Sequence, residues 1–407
     1  MHQKALLYFT LGFLFCTKSI QAQESTNCKL ETIQDQRDFS ENIPGETMGQ
    51  KLESLLFWTQ EERARRFAIM QSIYPSIAVE AAKNPKALAK GKNIKKSLAK
   101  YQDVEKYLAD NYVNSLIVLK EGKIRLEAYA DNANKEQLWT SFSVAKSISS
   151  MLLGIALKEG YIKSMEDKLE EYIPEFKAKD YGKVTVRQLL TMTSGIDWNE
   201  DYTDKNSDVA QMYLKECQDT EAHIITYMKD LKSLYPNGEK WNYSTGETDL
   251  VGILIQKATG KSLADYLSEK IWKPYGMENC AYWLADECSN LNIGGSGLSA
   301  SIRDFARLGQ FMLDSGKIND HSIFAKEWIE NAAAPLYQIN EDGGAYGYLW
   351  WRNPDGSFVA QGIFGQLIYI NPKKQIVFAQ NAAWPHASSK ELNKKRKEFI
   401  QAIERVL

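Results

Sequence analysis

The chain has 407 residues, 44% of them hydrophobic and 25% charged, the balance of an ordinary globular protein with a sizeable core. Its net charge of −2 speaks against a nucleic-acid binder or a basic membrane-surface protein. After the first residues no segment reaches the roughly 18 apolar residues that a membrane span needs, so no transmembrane anchor is expected.

The N-terminus reads as an export signal. Lys4 supplies a positive start, Ala5 to Cys16 form a short apolar run, and Ile20-Gln21-Ala22 offers a small-residue cleavage site. Residues 1–22 are therefore expected to be a signal peptide, and the protein periplasmic or secreted. Residues 23–48 read as a polar leader, and 49–407 as the functional body. Cys28, Cys217, Cys280 and Cys288 remain after cleavage. They allow three full pairings, and free thiols stay open beside them. Cys280 and Cys288 are the nearest pair. No cysteine has a metal-ligand spacing, and no metal or cofactor is expected.

In chain order, Thr59 and Glu62 form a capping box that opens a helix over Gln60–Gln71. Ala87 to Lys100 is lysine-rich and reads as a solvated segment. Leu116–Leu119, Glu121-Gly122 and Ile124–Tyr129 read as a β-hairpin. Ser143 to Glu159 reads as an apolar helix stopped by Gly160. Helices dominate from 161 to 309, including Val184–Met192 and Asp249–Thr259. Strands return at Gln366–Ile370 and Ile376–Gln380, around the turn Asn371-Pro372-Lys373-Lys374. Lys390 to Leu407 reads as a closing helix, packed through Leu392, Phe399, Ile403 and Val406. The expected fold is α+β: an antiparallel sheet built from both chain ends, flanking helices and a mostly helical insert.

Many catalytic signatures are missing. There is no G-x-S-x-G, H-E-x-x-H, Walker loop or G-x-G-x-x-G. Of four histidines, His2 leaves with the signal, and His223, His321 and His386 stand in no motif, so they read as structural. Serine is also activated by a lysine three residues on. A serine opening a helix sits where free N–H groups meet an oxyanion, and a buried lysine on the same face is driven toward the neutral, proton-accepting form. Two such strings exist. Ser97-Leu98-Ala99-Lys100 lies in the lysine-rich surface stretch. Ser143-Val144-Ala145-Lys146 opens an apolar helix and is the stronger candidate.

The surrounding string Ser141-Phe142-Ser143-Val144-Ala145-Lys146-Ser147 resembles the nucleophile motif of the serine β-lactamase and penicillin-binding-protein superfamily. Later blocks resemble its class C-like branch, which includes the 6-aminohexanoate-dimer (nylon oligomer) hydrolases and related esterases. These are Val184–Gly195, Trp198-Asn199-Glu200-Asp201-Tyr202, Tyr243-Ser244-Thr245, Gly294–Arg307, Tyr346–Trp351 and Ala360–Gln366, all in the family's order. The resemblance implies a β-lactamase/transpeptidase-like fold and a small ester or amide substrate. It implies Ser143 as nucleophile, with Lys146 and Tyr243 as acid and base; which of the two takes the serine proton stays open. The oxyanion hole would be the N–H groups of Ser143 and Ile363. Tyr202, Thr245, Gly362 and Trp351 are pocket candidates, with Trp198, Trp350 and Phe364 behind them; Glu200 and Asp201 read as surface charges. Ala360 stands where the family often has a cation before x-Gly, and Thr245 where it has Asn. Both departures lean away from β-lactams. A β-lactamase or D-amino-acid peptidase and a non-catalytic penicillin-binding-like sensor remain alternatives. Oligomeric state is left open.

Overall fold

A computed structural model describes residues 28, 43, 45 and 47–407. The expected signal and most of the leader lie outside the described residues. Fourteen strands are present among them: β1 (Ser76–Val79), β2 (Val113–Lys120), β3 (Lys123–Tyr129), β4 (Leu138–Thr140), β5 (Ala281–Leu284), β6 (Leu298–Ser301) and β7 (Lys317–Ile318) come first. They are followed by β8 (His321–Ser322), β9 (Tyr337–Gln338), β10 (Ala345–Tyr346), β11 (Trp351–Arg352), β12 (Phe358–Gly362), β13 (Gln366–Asn371) and β14 (Ile376–Ala382).

Eight strands form the main antiparallel sheet in the order β3-β2-β14-β13-β12-β11-β10-β9. The C-terminal β14 pairs with the early β2, placing Phe378 opposite Val118, so the sheet is closed from both chain ends. This is a β-lactamase/transpeptidase-like α+β fold. The region 161–309 is less purely helical than its sequence reads. It carries β5 and β6, which join β1 and β4 in a second sheet of four strands. Both strands are wholly buried, and such short apolar runs carry no period to betray them.

The Val144–Lys158 helix is buried from Val144 through Ala156, between the sheet and the helical layer. An all-round apolar helix demands that position. Gly160, at φ 78°, ends it as expected. A second core lies on the sheet's other face under the Lys390–Val406 helix, where Tyr107 stacks on Phe399 at 3.7 Å. The helix expected over Gln60–Gln71 stops at Arg66 and restarts at Met70. The carbonyl of Phe67 accepts from Thr140 N (3.0 Å), and the Phe67 ring packs on Phe142, which fixes the break. The lysine-rich stretch is exposed at its lysines but plants Ile94 and Leu98 in the second core. Neither disulfide is the nearest-neighbour pair: Cys28 bonds Cys280, and Cys217 bonds Cys288. No helix among the described residues is long and apolar enough to cross a membrane.

Candidate active site

The turn before the Val144–Lys158 helix is held unusually. Phe142 adopts φ 45°, a conformation costly for a bulky residue. Its ring is wedged against Phe67 and Phe364, at 4.8 and 5.4 Å, and that packing holds the turn. Ser143 follows at the helix N-terminus, its side chain making no cap bond. The hydroxyl is thereby left for other partners.

The end of β12 is pressed against this turn. A Cβ on Gly362 would lie 2.5 Å from Ser141 O and 3.1 Å from Ser143 N, so only glycine fits. This close approach brings the end of β12 against the Ser143 N–H, and neither Ser143 N nor Ile363 N donates to a turn or loop carbonyl. A free backbone donor at a helix N-terminus, with a second at the end of a neighbouring strand, suits an oxyanion.

Lys146 is 1% exposed, one turn into the helix. Its Nζ donates to Thr245 Oγ1 at 2.9 Å and to Gly295 O at 2.8 Å. Burial pulls its pKa down to about 8, against the opposing pull of Glu200 and Asp249. From the ordinary 10.5, that raises the neutral fraction at pH 7 from about 1 in 3000 to about 1 in 10. Tyr243 and Ser143 line the same cavity. Burial first, and then the Glu200 charge, push its phenol up, which keeps it protonated. Nζ lies over the Tyr243 ring, 5.4 Å from its centroid. The lysine therefore meets the ring face, and its hydrogen bonds go elsewhere.

Glu200 is not a surface charge. Its carboxylate accepts from Trp198 Nε1 (2.5 Å), Tyr202 OH (2.6 Å), Thr245 N (2.9 Å) and Thr245 Oγ1. The string Trp198-Asn199-Glu200-Asp201-Tyr202 is a loop folded back on its own carboxylate. Asp249 makes a second anchor. Its Oδ1 accepts from Gly295 N (2.6 Å), and its Oδ2 from Tyr213 OH. Burial raises Asp249 to about 6. Glu247, on the same helix, is raised to about 8 by burial, and its Oε2 has no partner, as suits a protonated carboxyl.

Two cavities meet at Ser143, Tyr202 and Ile363. One, about 80 Å³, is walled by Leu52, Leu56, Met70, Val209 and Met212 and is apolar. The other, about 250 Å³, runs past Tyr243, Trp351 and Gly362 to Asn393 and Arg396. Arg396 went unnoticed in the sequence, although it interrupts the apolar spacing Leu392, Phe399, Ile403. It bonds Asn393 Oδ1 (2.6 Å) and Gly365 O (3.3 Å) and covers the Trp384 ring. No carboxylate among the described residues pairs with it, and burial pulls it down to about 10. A cation thus reaches the pocket although Ala360 supplies none.

Tyr202, Thr245, Gly362 and Trp351 all line one cavity or both. Trp350 and Phe364 are core residues, and Trp198 acts through Glu200. None of His223, His321 and His386 lines either cavity. Cys217, His223 and Cys288 gather within 4.8 Å, but both sulfurs are spent in the disulfide.

The family model described as Beta-lactamase matches residues 107–400. The chain belongs to the beta-lactamase family. Its relatives include the 6-aminohexanoate-dimer hydrolase of Paenarthrobacter ureafaciens, 24% identical over 89% of this chain and 96% of that protein. Penicillin-binding protein 4* of Bacillus subtilis is 29% identical over 64% of this chain, which spans 60% of that longer protein. A Bacillus anthracis structure provisionally named a 6-aminohexanoate-dimer hydrolase superposes with a TM-score of 0.75 at 25% identity, covering 84% of this chain and 94% of its own. A family VIII carboxylesterase shares the fold, with a TM-score of 0.60 at 16% identity over 79% and 99% of the two chains. The beta-lactamase family protein described here is thus a hydrolase of the serine hydrolase superfamily.

Proposed function

We propose that residues 49–407 form an exported acyl hydrolase that cleaves a small ester or linear amide through an acyl-enzyme on Ser143. The observation that carries this is Lys146, 1% exposed one turn from Ser143, with its Nζ bonded to Thr245 Oγ1 and Gly295 O. Neutral Lys146 takes the serine proton, directly or through the protonated Tyr243 phenol, and the Ser143 oxygen attacks the carbonyl. The N–H groups of Ser143 and Ile363 hold the oxyanion. Tyr243 then protonates the leaving oxygen or nitrogen and regains a proton from Lys146; water attacks the acyl-enzyme as its proton passes to Lys146, and that proton returns to Ser143 as the acid leaves.

The cavities support a polarity for the substrate. The apolar pocket suits the acyl half, and the Arg396 side suits a leaving half that carries a carboxylate. A linear amide of the kind named for the Paenarthrobacter relative has such a half. Arg396 also gives weight to a second reading, a β-lactamase, because it supplies the cation that Ala360 lacks. Nitrocefin turnover by the purified protein would establish that reading.

Ser143→Ala tests the core of the proposal. The variant should lose hydrolysis of p-nitrophenyl esters and labelling by a fluorophosphonate. Labelling that persists would sink the assignment, and a stable acyl adduct without turnover would point instead to a sensor.

A further inference from the structure

Lys146 has two visible bonds, and both run to residues that a carboxylate holds. Gly295, whose carbonyl accepts from Nζ, is itself held through its N–H by Asp249. Thr245 Oγ1 is a hydroxyl and could in principle donate or accept. Its proton is committed to Glu200, so only its lone pairs remain for Nζ. A neutral lysine amine has two N–H bonds and one lone pair. With both N–H bonds directed at Thr245 and Gly295, one lone pair remains free to accept a proton.

We propose that Glu200 is a positioning residue for Lys146: by holding the Thr245 proton, it makes the threonine an acceptor and turns the lysine lone pair toward Ser143. This rests on the acyl-hydrolase reading above. Glu200 is suited to it geometrically. Four donors from three residues fix its carboxylate, and two of them come from Thr245 itself. An amide in its place offers one oxygen and an N–H₂ group. It cannot accept all four bonds, and its own N–H would press Thr245 to turn.

Removing the Glu200 charge has a second, opposite consequence. The anion favours protonated Lys146, so its loss lowers the lysine pKa. Asp249 remains as the other anion beside Lys146. Tyr243, Tyr202 and Tyr213 are all pushed up by burial and stay neutral, and Glu247 holds its proton to about 8. Mispositioning therefore lowers the plateau rate while the acid limb moves to lower pH, a combination that simple structural damage does not produce.

The experiment measures pH profiles of kcat and kcat/KM for p-nitrophenyl ester hydrolysis by Glu200→Gln, Thr245→Val, Thr245→Ser and the Glu200→Gln/Thr245→Val double variant. The expected result is a kcat loss of about 10²-fold in Glu200→Gln, the scale of a small misplacement, with its acid limb shifted down. Thr245→Ser, which keeps the hydroxyl, should retain most activity, and the double variant should be no worse than the poorer single one. An unmoved or raised acid limb, an unchanged plateau, or additive losses would overturn the proposal. Fluorophosphonate labelling of Ser143 in each variant separates the two failures. If Ser143 labels while the limb stays put, the role of Glu200 falls alone; if wild-type Ser143 never labels, the acyl-hydrolase reading falls too.

Discussion

Ser97 and Ser143 carry the same four-residue spacing to a lysine and stand in opposite surroundings. Ser97 belongs to the short Lys95–Leu98 helix, and both it and Lys100 are exposed. That ammonium stands in water, with no buried surroundings of any kind. Ser143 begins a 15-residue buried helix, behind a strained turn and beside the end of β12. Lys146 pays for its burial with a lowered pKa, and Glu200 and Asp249 keep that fall from going further. The difference teaches that a catalytic string is a claim about environment. The serine needs backbone donors with nothing else to hold, and the lysine needs acceptors that consume its protons without neutralising its lone pair.

The comparison breaks most sharply at the lysine. Lys146→Ala should cost on the order of 10²-fold or more in kcat, with KM little changed, in ester hydrolysis assays. Tyr243→Phe should fall in the same range if its phenol donates to the leaving group as proposed. At the other end, Ser97→Ala and Lys100→Ala should leave kcat and KM within about twofold of wild type, as exposed substitutions away from the cavities should.

Much of the fold was readable because it is periodic or punctuated. The β2–β3 hairpin, the β13–β14 pair and the Lys390–Val406 helix stand close to where alternation, turn residues and helical spacing put them. The second sheet was not readable, since β1, β4, β5 and β6 are three or four residues long and meet only in three dimensions. Of the proposed site, Ser143, Lys146 and Tyr243 were visible as motif residues in the sequence. Glu200, Asp249 and Arg396 were not, because their importance lies in what they touch. A signal did exist for two of them. Asp249 is a charge inside the helix, within a stretch buried from Thr245 through Gln256, and Arg396 interrupts an apolar stripe. A charge on a face that packs inward is either paired or functional. Glu200, in a polar loop, carried no such mark.

The central claim is that Lys146, held near pKa 8, activates Ser143. The pH dependence of the fluorophosphonate labelling rate, with the modified serine identified by peptide mass, tests it most directly. The lysine must lose its proton to act as base, so labelling at Ser143 should be slow at low pH and rise through an inflection near 8. A rate independent of pH, an inflection near the ordinary histidine value of about 6.5, or modification at Ser97 would contradict the account.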